Sequence, residues 1–196
     1  MARIVLIRHF ETEWNRQGKI QGRADQPLAK DAAEIHAGKR IAQQFADMIW
    51  YTSPLTRAVQ TAALLGAPNA LHDQRLIEMD WGSWEGERLI DLRASLGSDM
   101  AKNEANGLDF RPTNGESPRQ VGDRVKDWIL EVGHRDTAAV THKGVIRAVL
   151  SLALGWNMTS KPPLRADWSC AQVFTLDDNG NIKLTKANQP LDRAPS

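Results

Sequence analysis

Four consecutive apolar residues, Ile4-Val5-Leu6-Ile7, run straight into Arg8-His9. A short run with no polar alternation is the pattern of a strand buried on both faces. Sheets are covered on both faces chiefly where helices cross over between parallel strands. Met48–Thr52 and Thr137–Thr141 have the same character. Helix-like segments lie between them. Ala32–Phe45 has small and apolar residues at helical spacing, and Ser53-Pro54 opens a further helix with serine as N-cap and proline at the first helical position. Ser117-Pro118 repeats that start, and Gln120 closes a capping box. Val121, Val125, Trp128, Ile129 and Val132 then share one helical face, and a last helix begins near Gly144. The alternation predicts an α/β fold, a three-layer sandwich whose largely parallel sheet carries helices on both faces. Gln172–Leu176 and Ile182–Leu184, split by Asp177-Asp178-Asn179-Gly180, predict a hairpin and an antiparallel edge strand. Residues 1–196 are expected to form one domain, with a lid or excursion around 99–115 and a loose tail over 187–196.

Charge narrows the partners. Lysine plus arginine (25) nearly cancels aspartate plus glutamate (24), so no global field draws the chain to nucleic acid or an anionic membrane. Anion binding must come from local clustering. One cysteine, Cys170, fits a reducing compartment. No run has the length of a signal-peptide core or a membrane span, so a cytoplasmic location is expected. Nothing in the composition sets the oligomeric state.

On the predicted frame, Arg8 and His9 end the first strand, Arg57 follows the second, and His142 ends the third just before a helix. Ligands of open α/β sheets bind outside the carboxyl ends of the parallel strands. Two arginines, two histidines and two helix N-termini thus meet at one crevice edge, an arrangement suited to a phosphate. Each piece alone has a plainer role. Arg57 by itself reads as a helix-face arginine, and His142 as a core histidine bonded to a carbonyl. His36, His72 and His134 have no comparable neighbours in the sequence and read as surface or structural residues. His9, His142 and Glu78 are also of metal-ligand type, but two nearby arginines would repel a dication. The expectation is therefore a site with no metal and no cofactor.

With those residues placed, the chain resembles the histidine phosphatase superfamily in its phosphoglycerate mutase-like branch. The matching blocks are Arg8-His9-x-Glu11-Thr12-x-Trp14-Asn15 and Gln21-Gly22-Arg23-x-Asp25-x-Pro27-Leu28. Ser53-Pro54-Leu55-x-Arg57-Ala58-x-Gln60-Thr61 and Leu76-x-Glu78-x-x-x-Gly82-x-Trp84-Glu85-Gly86 follow. Asn114-Gly115-Glu116-Ser117 and Val140-Thr141-His142-x-Gly144-Val145-x-Arg147 complete the set in family order. The resemblance implies a phosphoglycerate mutase-like fold and His9 as the nucleophile that takes up a phosphoryl group. It implies Arg8, Arg57, His142 and Asn15 as its binders, and Glu78 as proton donor and later base. Phe10, Gln21, Gly22 and Lys143 are expected to reach the substrate, a small phosphorylated metabolite.

The blocks around Glu78 and Gly144 resemble phosphatase members, including the α-ribazole phosphatase type, so phosphomonoester hydrolysis is expected. A mutase-type phosphotransferase and a non-catalytic phospholigand-binding protein on the same fold are the alternatives. Phe10 departs from the family, which usually has glycine there. If position 10 required a positive φ, phenylalanine would be strained; otherwise its ring lines the crevice and narrows access. Ala32 also replaces a common glycine, harmlessly in a helix start.

Overall fold

The computed structural model describes residues 2–37 and 45–191. Its centre is β1 (Arg3–Arg8), whose side chains alternate between two cores. Ile4 and Leu6 face one layer and Val5 and Ile7 the other, all at most 1% exposed. That explains the unbroken apolar run. Burying each such side chain stabilises the fold by about 1.5–3 kcal/mol.

β1 pairs in parallel with β4 (Thr137–Thr141), which pairs in parallel with β2 (Ile49–Thr52). A two-residue strand, β3 (Leu71–His72), extends that side. On its other flank β1 pairs antiparallel with β5 (Ala171–Leu176), and β5 with β6 (Ile182–Gln189). The sheet order is β3-β2-β4-β1-β5-β6, the predicted α/β architecture with an antiparallel edge. The hairpin turn follows the predicted residues: the Asp177 carboxylate accepts the backbone N–H groups of Asn179 and Asn181, and Gly180 takes φ +76°.

Helices cover both faces. α5 (Pro118–Val132) and α6 (Lys143–Leu154) pack Trp128, Ile129, Val145 and Val149 against Ile4 and Leu6. α3 (Thr56–Leu64) packs Ala58 and Ala62 against Val5 and Ile7. The capping box at Ser117 is formed as its sequence predicts: Ser117 Oγ accepts the Gln120 N–H, and Gln120 Oε1 accepts the Ser117 N–H at 2.9 Å. Two short helices, α1 (Glu13–Arg16) and α2 (Ala32–Ile35), lie between β1 and β2.

Several expectations need correction. Ser53 is not a helix N-cap. Its N–H still bonds Val140 O as a continuation of β2, and α3 begins three residues later. The exposed start of α3 is capped by Asp25, whose carboxylate accepts both the N–H and the hydroxyl of Thr56 at 2.7 Å. Of the helix expected over 32–45, the described residues form α-helix at Ala32–Ile35, and residues 38–44 lie outside the described residues. The excursion is helical: α4 (Leu89–Ala105), kinked at Gly97, is followed by a 3₁₀ turn at Gly107–Asp109. The supposed tail is paired through Gln189 opposite Ala171, while residues 192–196 lie outside the described residues. Among the described residues no helix is long and apolar enough to cross a membrane.

Ser117→Ala removes the cap of the helix that brings Val121, Val125, Trp128, Ile129 and Val132 into one core. The expected loss is about 0.5–2 kcal/mol, read as a lower urea midpoint at unchanged m-value; an unchanged midpoint would show that the cap carries no stability.

Candidate active site

The parallel strands β1, β2 and β4 end at one edge, with Arg8 opposite Thr141 and Thr52 opposite Val140. His9 is fastened just beyond, its N–H bonding Thr141 O at 2.9 Å. Its side chain is 5% exposed, and Nδ1 lies 2.6 Å from the Phe10 carbonyl oxygen. A carbonyl only accepts, so Nδ1 carries the proton and the lone pair sits on Nε2. Burial, then the Arg8 and Arg57 charges, hold the His9 pKa well below its usual value, which keeps the ring neutral near pH 7. His142 ends β4, with its ring centroid 5.1 Å from that of His9. Its Nε2 meets Ser53 Oγ at 2.7 Å, and burial followed by the His9 and arginine fields depresses its pKa too.

Arg57 is fully buried on the first turn of α3. Two of its nitrogens donate to backbone carbonyls, Nη1 to Ala24 O at 2.8 Å and Nη2 to Gly22 O at 2.7 Å. Glu85 shapes that loop, because its carboxylate accepts the N–H groups of Arg23 and Ala24 at 2.7 and 2.8 Å. Gly22 has φ +54°, and a Cβ there would lie 1.9 Å from Glu85 Oε1. Only glycine permits this approach. The Gly22 carbonyl thus positions Arg57, and Gln21 accepts the Thr12 hydroxyl at 2.9 Å in the same buried layer.

Three buried nitrogens at this edge, Arg8 Nε, Arg57 Nε and His142 Nδ1, have no partner among the described residues; the arginine nitrogens are donors, and so is Nδ1 when the Ser53 hydroxyl donates to Nε2. Donors of this kind are costly unless an acceptor arrives, and phosphoryl oxygens are suitable acceptors. Asn15, in α1, lines the same crevice. Its Oδ1 is occupied by Thr12, which leaves the amide NH₂ as the group able to donate to a ligand.

Glu78 lies on the segment after β3. Burial raises its pKa, opposed by the N–H groups of Met79 at 2.9 Å and Gly144 at 3.2 Å and by the Arg57 and Arg124 charges. A Cβ on Gly144 would sit 2.3 Å from Glu78 Oε1. Arg124, on α5, donates to Arg75 O at 2.6 Å and Glu78 O at 3.3 Å, and pairs with Glu116 at 2.8 Å. The Glu78 segment is thereby pinned to α5, with which Leu76 and Met79 share one core. Trp81 and Trp84 continue from it and pack on Phe110 of the excursion, with centroids 5.7 and 5.8 Å away.

Phe10 is not among the residues with positive φ, so it carries no such strain. Its N–H donates to Thr61 Oγ1 at 2.9 Å, and Thr61 in turn donates to Arg57 O. The ring stacks on His36, centroids 3.7 Å apart, and both line the crevice. His36, expected to be a surface or structural residue, is part of the crevice wall, because the chain from α1 to α2 folds back over the strand ends. His72 and His134 are exposed, as expected. Lys143 is exposed, its ammonium over the Trp168 ring at 5.5 Å. Partial desolvation, then Arg8 and Arg147, lower its pKa. Arg124, Glu116, Glu85, Asp25 and Ser53 escaped the sequence reading as positioning groups. Glu85 and Glu116 stood inside matched blocks, but nothing local showed what they hold. Among the described residues no group of His, Cys, Asp or Glu side chains forms a metal-ligand set.

Residues 4–189 match the profile of the histidine phosphatase superfamily (branch 1). The chain belongs to that superfamily. It is 29% identical over 196 residues to phosphoserine phosphatase 1 of Hydrogenobacter thermophilus, covering 94% of this chain and 91% of the relative. It is 37% identical over 196 residues to a 2,3-bisphosphoglycerate-dependent phosphoglycerate mutase of Methylobacterium sp., covering 92% and 94%. A mutant phosphoserine phosphatase of Entamoeba histolytica, solved in complex with phosphoserine, superposes with a TM-score of 0.79 at 26% identity, covering 96% and 97% of the two chains. The superfamily and its phosphatase relatives support phosphatase activity in general, on small phosphate esters.

The two neutral histidines tie stability to pH. Their folded pKa values lie below the ordinary 6.5, so the unfolded chain takes up protons first as pH falls. The stability they contribute is complete above about pH 6.5 and declines below it, by at most about 1.4 kcal/mol per pH unit for each histidine. Glu78, with a raised folded pKa, acts in the opposite sense, so the readout is the difference between wild type and His142→Gln. Urea titrations between about pH 7 and about pH 5 should show a shallower decline in the variant; parallel curves would contradict burial of a neutral imidazole.

Proposed function

We propose that this protein is a metal-independent phosphomonoester hydrolase acting through a phosphohistidine on His9. The observation that carries the reading is the bond from His9 Nδ1 to the Phe10 carbonyl, which commits the Nε2 lone pair to attack inside a buried cationic crevice. In the first step Nε2 bonds to phosphorus, the P–O bond to the alcohol breaks, and the Glu78 proton passes to the leaving oxygen. In the second, Glu78 takes a proton from water, water oxygen attacks phosphorus, and inorganic phosphate leaves with His9 restored. Arg8, Arg57, His142 Nδ1 and the Asn15 amide hold the non-bridging oxygens and stabilise their charge as the phosphoryl group transfers. Burial raises the Glu78 pKa, which favours the proton-bearing form a general acid needs.

Hydrolysis is favoured over mutase chemistry by the excursion. A mutase must retain a diphosphate between its two half-reactions, which calls for a segment that closes over the site and brings cations of its own. Within the excursion Arg93 pairs with Glu104 and Lys102 with Asp99, and Arg111 donates to the Gly115 carbonyl. The mutase reading keeps support from the Methylobacterium relative. Conversion of 3-phosphoglycerate in the presence of 2,3-bisphosphoglycerate, outpacing phosphate release, would establish it. Phosphoserine, the ligand of the Entamoeba relative, belongs on the first substrate panel with other small esters.

His9→Ala should abolish hydrolysis of p-nitrophenyl phosphate, and base-quenched wild type should yield an acid-labile phosphoprotein with EDTA present. Metal-restored activity after chelation, or turnover without an adduct under rapid quench, would reject the mechanism. Glu78→Gln should slow an alkyl ester about 10²–10⁴-fold while p-nitrophenyl phosphate, whose leaving group needs little protonation, loses much less. Equal losses on both esters would remove Glu78 as the acid.

Phe10→Gly opens the wall shared with His36. It should broaden the range of accepted esters more than it changes maximal turnover on a small one. An unchanged range across the panel would count against a gating ring.

A further inference from the structure

Beyond Trp168, which forms part of the crevice wall, lies a second pocket. Its floor is apolar, built from Leu150, Pro162 and Leu164, and its charged groups are Lys143, Arg147 and Arg165. No carboxylate lines it. Two of these cations sit over indoles: Nζ of the exposed Lys143 is 5.5 Å from the Trp168 ring, and the guanidinium of the half-buried Arg147 is 5.1 Å from that of Trp156. Eight of the described arginines are engaged in ion pairs. Lys143, Arg147 and Arg165 make none among the described residues.

Like charges gathered around one concave apolar surface repel each other and lose hydration. Both costs fall when an anion enters. The indoles offset part of the cost through cation–π attraction and hold the cations in place. Trp168 borders both pockets, and Lys143 directly follows the phosphate-binding His142 in sequence. A molecule reaching past Trp168 can therefore occupy both.

We infer that Lys143, Arg147 and Arg165 form a second oxyanion-binding site beside the phosphoryl crevice, which takes a phosphate or carboxylate. The group it binds is either the distal anion of a phosphomonoester seated at His9 or a free anion. The first source rests on the hydrolase reading and defines its substrate class as phosphomonoesters bearing a second anionic group.

Calorimetry on the full chain separates the sources without turnover. The probes are inorganic phosphate, methylphosphonate and a ladder of α,ω-alkylbisphosphonates. If the site serves the substrate, a bisphosphonate of matching length binds about 10²-fold more tightly than methylphosphonate. That advantage disappears in Arg147→Met, which keeps the stem packed on Trp156, and in the exposed Arg165→Ala; methylphosphonate binding stays unchanged. If the site serves a free anion, inorganic phosphate binds with two equivalents, one of which Arg147→Met removes, and no bisphosphonate advantage exists. A single equivalent of phosphate, no bisphosphonate advantage and no effect of either substitution would overturn the inference. Absence of hydrolysis on every ester would sink the hydrolase reading and leave this binding result standing.

Discussion

A guanidinium fully removed from water must find acceptors, and much of the site's architecture follows from how Arg57 finds them. Two backbone carbonyls, from Gly22 and Ala24, supply them. Those carbonyls face inward because Glu85 takes the neighbouring N–H groups, and Glu85 fits there because residue 22 has no side chain. The same acidic block carries Glu78 seven residues earlier. One buried charge thus fixes a loop, a turn and the approach of the acid. Carbonyl acceptors also leave the full positive charge in place. A carboxylate partner would have cancelled the field that acts on His9.

That uncancelled field has a chemical consequence. Arg8 and Arg57 both depress the His9 pKa, so a neutral imidazole faces the crevice, the form that the proposed attack on phosphorus needs. Glu78 lies within reach of the Arg57 field, yet burial outweighs that attraction and its pKa rises. The two groups are pushed apart in the directions that nucleophile and acid require. Burial is the leading cause in both cases, and the apolar cores that bury them are the ones that hold β1.

The strands were legible because double-sided burial leaves unbroken apolar runs, as at Ile4–Ile7 and Thr137–Thr141. α5 was legible through its capping box and its single apolar face. α4 was not, because it buries only Met100 and therefore shows no stripe. β3 is two exposed residues that leave no pattern. At the site, the residues placed by strand ends (Arg8, His9, His142) could be located from sequence, since topology alone delivers them. The groups that position them could not. Arg124 reaches the Glu78 segment from a helix 46 residues along the chain, and His36 meets Phe10 only because the chain folds back. Ser53 has the look of a helix cap, but the sheet claims its backbone and His142 its hydroxyl.

The contact between Gly144 and Glu78 has an evolutionary side. Gly144 adds no atom beyond its backbone to the phosphate-binding layer, yet the carboxylate rests where its side chain would be. Restoring one methyl group there would displace the acid while leaving Arg8, His9, Arg57 and His142 as they stand. On the proposed mechanism, a single-nucleotide change of that kind would turn the hydrolase into a receptor for the same anion, with the anion site left in place.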